Sequence, residues 1–252
     1  MDIIFLDLGA NESAIIKNSD DKSILINAGV ISMFANDLNR KILPTIKYLN
    51  LKKFDWLIKS NGNSNHQIGI AKAIETIPID TIWDVGLDSD SWIDEYIRNL
   101  IELKNINYNV IQRGDVIRID RQSYIQFLLP VEHNQSQNST LAMKIVNGSN
   151  SILFIDKLTD ADFEILINDG EVIKSDVLKM IYPKKLPNNF SEFIQTVNAK
   201  MIIITGARTS KSSPTQYELS DMFDAELFFT DSVGAVWLFS DGKNPFEVKE
   251  WK

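Results

Sequence analysis

Hydrophobic and polar positions follow two alternating regimes along this chain. Residues 3–7, 13–17 and 23–27 are short apolar runs split by Gly9-Ala10-Asn11 and Asn18-Ser19-Asp20-Asp21, the pattern of strands joined by turns. Residues 37–50 then carry Leu38, Ile42, Ile46 and Leu49 at helical spacing, and Pro44 marks a late start or a kink. A strand at 54–58 leads through the polar stretch Ser60-Asn61-Gly62-Asn63-Ser64 into a helix over 65–77. That helix buries Ile68, Ala71 and Ile74, and Pro78 ends it. A strand at 81–85, an amphipathic helix at 92–103 and a strand at 108–111 complete the first half.

After residue 115 the period returns to two. Residues 115–120 and 123–129 alternate as a hairpin, and 141–146 pairs with 151–155 across Asn147-Gly148-Ser149-Asn150, a strong turn signal. Helices at 160–167, 190–197 and 215–223 (behind Pro214) are interleaved with buried runs at 177–181 and 201–205. Strands at 226–230, 235–239 and 246–250 close the chain. The order is β-rich, βα, β-rich, βα. It predicts an α/β (α+β) fold in which two mixed sheets pack face to face with helices outside. No linker, low-complexity segment or simple repeat interrupts the pattern, so residues 1–252 read as one domain.

Composition narrows the function classes. The formal net charge of -8 opposes a broad phosphate-binding face, so nucleic acid is not an expected partner. Cysteine is absent, which removes disulfides, thiolate ligands and cysteine nucleophiles and fits a reducing cytoplasm. Met1-Asp2-Ile3-Ile4-Phe5 lacks the basic start of a signal peptide, and no apolar run approaches the roughly 20 residues of a membrane span. The 2 histidines, His66 and His133, cannot build a dinuclear centre on imidazoles. No P-loop, G-x-G-x-x-G or G-x-S-x-G motif occurs. The pattern assigns no oligomeric state.

The stretch with the most chemistry is Ser60-Asn61-Gly62-Asn63-Ser64-Asn65-His66-Gln67-Ile68-Gly69. It lies between a strand and a helix, where α/β proteins gather functional side chains. With the preceding Asp55 it resembles D-x-L-x-x-T-H-x-H-x-D-H-x-G, a signature of the metallo-β-lactamase fold. Other pieces resemble that fold's domain at the end of the DNA-uptake channel protein ComEC, in the same order. Leu6-Asp7-Leu8-Gly9-Ala10-Asn11-Glu12 is similar to L-D-V-G-Q-G-D, and Ile24-Leu25-Ile26-Asn27-Ala28-Gly29 to I-L-I-D-G-G. Leu43-Pro44-Thr45-Ile46-Lys47 resembles L-P-Y-L-K, and Asn138-Ser139 falls at an N-x-S. Residues 152–156 sit at L-L-x-G-D, and Asp176-Val177-Leu178-Lys179 opens a D-V-L-K-V-P-H-H-G-S. Ile204-Thr205-Gly206, Pro214 and Thr230-Asp231-Ser232-Val233-Gly234-Ala235 resemble the S-x-G, H-P and T-D-x-x-G-A elements. The resemblance implies a four-layer αββα sandwich.

It also implies a site, and this chain departs from it. A hydrolase of this family holds Zn²⁺ or Mn²⁺ ions that lower the pKa of a bound water, using imidazole and carboxylate ligands. By the resemblance, the loop ligands correspond to Asn61, Asn63, Asn65 and His66. The H-H-G-S segment falls on Tyr182, Pro183, Lys184 and Lys185, and the late histidine on Ser213. The supporting aspartate corresponds to Asn27, and Asp156 keeps its carboxylate. A neutral amide carbonyl is a weak Zn²⁺ ligand, and lysines add positive charge where a cation would sit. The expectation is therefore a catalytically inactive protein (a pseudoenzyme) with no metal and no cofactor. Its expected partner is another protein, bound at the cleft these residues outline.

Plainer roles are open for several of them. Asn61, Asn63 and Asn65 serve equally well as turn and cap residues. His66 reads as a structural histidine or cap, and His133 as a solvated loop residue. Asp156 reads either as a cap of the 160–167 helix or as an ion-pair partner of Lys184. Trp83 and Trp92 read as core and surface packing. The alternative function is a metal-dependent hydrolase or phosphodiesterase with a reduced site on His66 and Asp156, using zinc or manganese.

Overall fold

A computed structural model of the chain describes residues 1–9, 11–32, 35–60, 64–87, 91–130 and 141–250, without the side chains of Ser64 and Asn65. Asn61, Asn63, His133 and Asn138-Ser139 lie outside the described residues, as does the side chain of Asn65.

The first sheet opens with β1 (Asp2–Phe5), β2 (Ala14–Lys17) and β3 (Ser23–Ile26), paired antiparallel. It continues in parallel through β4 (Phe54–Lys59), β5 (Ile79–Asp84) and β6 (Asn107–Val110). The second sheet repeats this plan. β7 (Val116–Arg118), β8 (Ser123–Leu129), β9 (Ala142–Asn147) and β10 (Asn150–Ile155) are antiparallel neighbours. β11 (Val177–Ile181), β12 (Met201–Thr205) and β13 (Glu226–Phe229) then run parallel to β10. The last strands, β14 (Val236–Phe239) and β15 (Glu247–Lys249), return to the first sheet beside β1. Both sheets are thus mixed.

Three apolar layers follow from strand alternation. Between the sheets, Ile3, Phe5, Ile16 and Ile58 meet Ile125, Phe127, Ile145 and Phe154. On the outer face of the first sheet, Ile4, Leu25 and Leu57 lie under α1 (Leu43–Tyr48), α2 (Ser64–Thr76) and α3 (Trp92–Lys104). On the outer face of the second, Leu153, Leu178 and Ile204 lie under α4 (Asp160–Asn168), α5 (Phe190–Val197) and α6 (Gln216–Met222). A short helix, α7 (Thr230–Val233), follows β13. The result is the expected αββα order. Each fully buried Ile or Phe removes enough apolar surface to contribute about 1.5–3 kcal/mol, so all three layers stabilise the fold.

Local departures from the sequence pattern have physical causes. The helix expected over 37–50 is split into a π-helical turn at Leu38–Ile42 and α1, with Pro44 in the first turn of α1. Proline has no N–H to bond back to the preceding turn, so the register changes there. Ile68 is only half-buried, whereas Ala71 and Ile74 are in the core. Trp83 packs at 5.7 Å on Phe127 in the core and Trp92 is exposed on α3, as expected.

Candidate functional site

Parallel strands deliver their carboxyl ends to one edge of the sandwich. From the first sheet, β3 is followed by Asn27 and β4 by Ser60; from the second, β10 is followed by Asp156 and β11 by Tyr182, and β12 ends at Thr205. Asn27 occupies the left-handed region (φ 54), which asparagine tolerates better than other side-chain-bearing residues. The turn aims its amide into the gap between the sheets.

There the amide organises a buried polar cluster. Asn27 Nδ2 donates to Glu12 Oε1 at 3.0 Å and to Ser60 Oγ at 2.8 Å, and Asn27 Oδ1 accepts from the Ser60 N–H at 3.0 Å. Ser60 Oγ in turn donates to Asp156 Oδ2, which links the two sheets across the site. From β11, the Lys179 ammonium forms an ion pair with Glu12 and lies 3.8 Å from the centre of the Phe154 ring. Both charged side chains are almost wholly buried. Burial pushes the Glu12 carboxyl up to about 7, against the downward pull of Lys179, and the nearby Asp156 charge adds to the rise.

His66 lies in the first turn of α2, beside this cluster. Burial holds its imidazole below the ordinary histidine range, although the Asp156 charge works the other way. Its Nδ1 is buried with no hydrogen-bond partner among the described residues. Asp156 departs from its plainer roles. Thr159 caps α4 through a reciprocal capping box with Asp162, while Asp156 accepts from Ser60 and from the Lys157 N–H at 2.7 Å.

The remaining expected residues line the second sheet's side of this edge. One cleft, of ≈ 420 Å³, lies between α3 and β6, beside the buried Lys59–Asp84 ion pair (2.7 Å). The cleft at the edge itself is ≈ 480 Å³. Tyr182, Lys184 and Lys185 line it with Asp156, over a floor that includes Phe163 and Phe190. Tyr182 is buried and its hydroxyl donates to the Pro214 carbonyl at 2.9 Å. Ser213, next to that proline, is buried, and its Oγ lacks a partner among the described residues.

The structure therefore brings Asn27, His66 and Asp156 to one place and Tyr182, Lys184 and Lys185 to the adjoining cleft. Sequence reasoning missed Glu12, Ser60, Lys179 and Thr205 as members of the cluster. A signal existed for Lys179, because a lysine inside V-L-K-M-I must either snorkel or find a buried anion. Nothing local marks Glu12, 167 positions away, as that anion.

No family model matches the chain, and no curated protein matches it. Solved structures do. YhfI of Bacillus subtilis, a metallo-β-lactamase-fold protein, superposes with a TM-score of 0.59 at 16% identity, over 90% of this chain and 96% of its own. Igni18, a metallo hydrolase of Ignicoccus hospitalis, gives 0.58 at 10% identity with 100% of both chains covered. Tm1679, a metal-dependent hydrolase of the β-lactamase superfamily, gives 0.55 at 10% identity over 91% and 95%. The fold is that of the metallo-β-lactamases. At such identities the likeness concerns backbone architecture, and function must be argued from side chains.

Proposed function

We propose that this metallo-β-lactamase-fold protein is a catalytically inactive binding or scaffolding subunit whose partner, another protein, docks on the cleft around Tyr182, Lys184 and Lys185. The observation that carries this reading is the donor chemistry at the carboxyl edge of the sheets. A divalent cation needs several lone-pair donors with net negative charge. Here the Glu12 carboxylate is engaged by the Lys179 ammonium, and amide and hydroxyl groups from Asn27, Ser60 and Thr205 surround it. Lys184 and Lys185 rim the adjoining cleft, and among the described residues no group of three or more His, Asp or Glu side chains converges to hold a metal ion. These residues do not fit a dinuclear metal centre of the kind the resemblance implies. Elemental analysis of the purified chain tests the reading. Zinc and manganese are expected far below stoichiometric, whereas about one or two equivalents, with chelator-sensitive phosphodiesterase activity, would overturn it.

One observation favours the alternative, a metal-dependent hydrolase with a reduced site. Burial disfavours the charged form of His66, whose Nδ1 has no partner among the described residues, and the ring feels the Asp156 charge; the two side chains are a pair able to ligate zinc or manganese. Under this alternative, His66→Ala abolishes hydrolysis while leaving the melting temperature nearly unchanged.

A further inference from the structure

We infer that the ≈ 480 Å³ cleft binds a small amphiphilic anion, an acidic head carried on an apolar body. The inference rests on the binding reading in that the cleft holds its ligand without converting it, the small ligand filling the interior of the cleft and the partner protein meeting its rim. Two observations converge on this ligand class.

The first is charge. Lys157, Lys184 and Lys185 all line the cleft, all are exposed, and none forms an ion pair among the described residues. Asp156, the cleft's carboxylate, faces the buried cluster and is held by Ser60 and the Lys157 N–H. Arg208, on the loop after β12, donates its guanidinium N–H groups to the carbonyls of Lys211 and Ser213. The exposed charged residues of the cleft lining are therefore all lysines. The cleft beside α3 differs, since Arg98 there shares the wall with Glu102.

The second is the floor. Leu158, Phe163, Met180, Tyr182 and Phe190 present apolar surface beneath the lysines. The volume falls in the range of small-molecule sites, which pair an apolar lining with a few polar anchors. A bare inorganic anion would leave that floor wet, and a neutral apolar molecule would leave the ammonium groups unused. An acidic head among the lysines with its apolar body on the aromatic floor satisfies both.

The probe is 1-anilinonaphthalene-8-sulfonate, compared with neutral N-phenyl-1-naphthylamine, which has the same ring systems without the sulfonate. Fluorescence titration of the full chain is expected to show one saturable sulfonate site. The double variant Lys184→Gln/Lys185→Gln should weaken it by about tenfold or more, as loss of charge-assisted contacts does, and leave the neutral probe within about twofold. Ala207→Trp, which fills the cleft from its wall, should remove both. Unchanged melting curves would show that the variants fold. Sulfonate binding that is unsaturable, or indifferent to both variants, overturns the inference, as does equal response of the two probes to the lysine changes. Metal content measured on the same preparation separates the two ideas: failed probe binding without metal sinks only this inference, and stoichiometric metal with hydrolysis sinks the binding reading.

Discussion

Asn27 shows how much one amide decides at this site. It donates to Glu12 and Ser60 at once, which a carboxylate in its place cannot do. Asn27→Asp would set two buried carboxylates against each other, and we expect it to destabilise the fold by about 1–3 kcal/mol, read from the denaturant midpoint. Glu12 links stability to pH. The folded carboxyl keeps its proton up to about 7, while the unfolded one releases it near 4.5, so the folded state binds more protons between these values. Its contribution is fully present below about pH 4.5 and is lost as pH rises through about 7. The double variant Glu12→Gln/Lys179→Met removes both charges and should abolish that part of the decline between pH 5 and 8. Lys179→Met alone strands a buried carboxylate and should cost about 3–5 kcal/mol. A double variant with the wild-type pH profile would refute the assignment.

Among the elements, α2 is held to the first sheet by a close approach that only glycine permits. A Cβ at Gly69 would lie 2.3 Å from the Gly29 carbonyl oxygen and 2.9 Å from that of Ala28. Gly69→Ala must therefore push α2 off the β3 turn. We expect a loss of about 1–3 kcal/mol in chemical denaturation, as overpacking usually costs. The same helix carries His66, so its displacement would also alter the histidine's titration in NMR. Element identity was largely legible in sequence, since β8, β11, α5 and β12 span the residues their periodicity predicts. The 38–42 turn was not, because a helical spacing of apolar residues does not distinguish an α from a π register.

For the molecule as a whole, the central layer is shared. Residues from both sheets form one apolar cluster, and β14 and β15 tie the end of the chain to β1. Neither sheet can keep its inner face dry without the other. We expect one cooperative unfolding transition, with far-ultraviolet circular dichroism and tryptophan fluorescence superimposing; separated transitions would argue for two independent units. Among the described residues, no helix is long and apolar enough to cross a membrane.

By itself the sequence determined the periodicities, the two-fold succession of antiparallel and βα segments, and a supply of only 2 histidines. These are local or positional properties, carried by each side chain and its near neighbours. Only the tertiary structure decided that Glu12 meets Lys179, that Ser60 bridges to Asp156, and that Lys157 and Lys184 line one cleft with Phe163 and Phe190. Those contacts join residues far apart in the chain. A buried charge names the need for a partner, but the sheet register chooses which partner arrives.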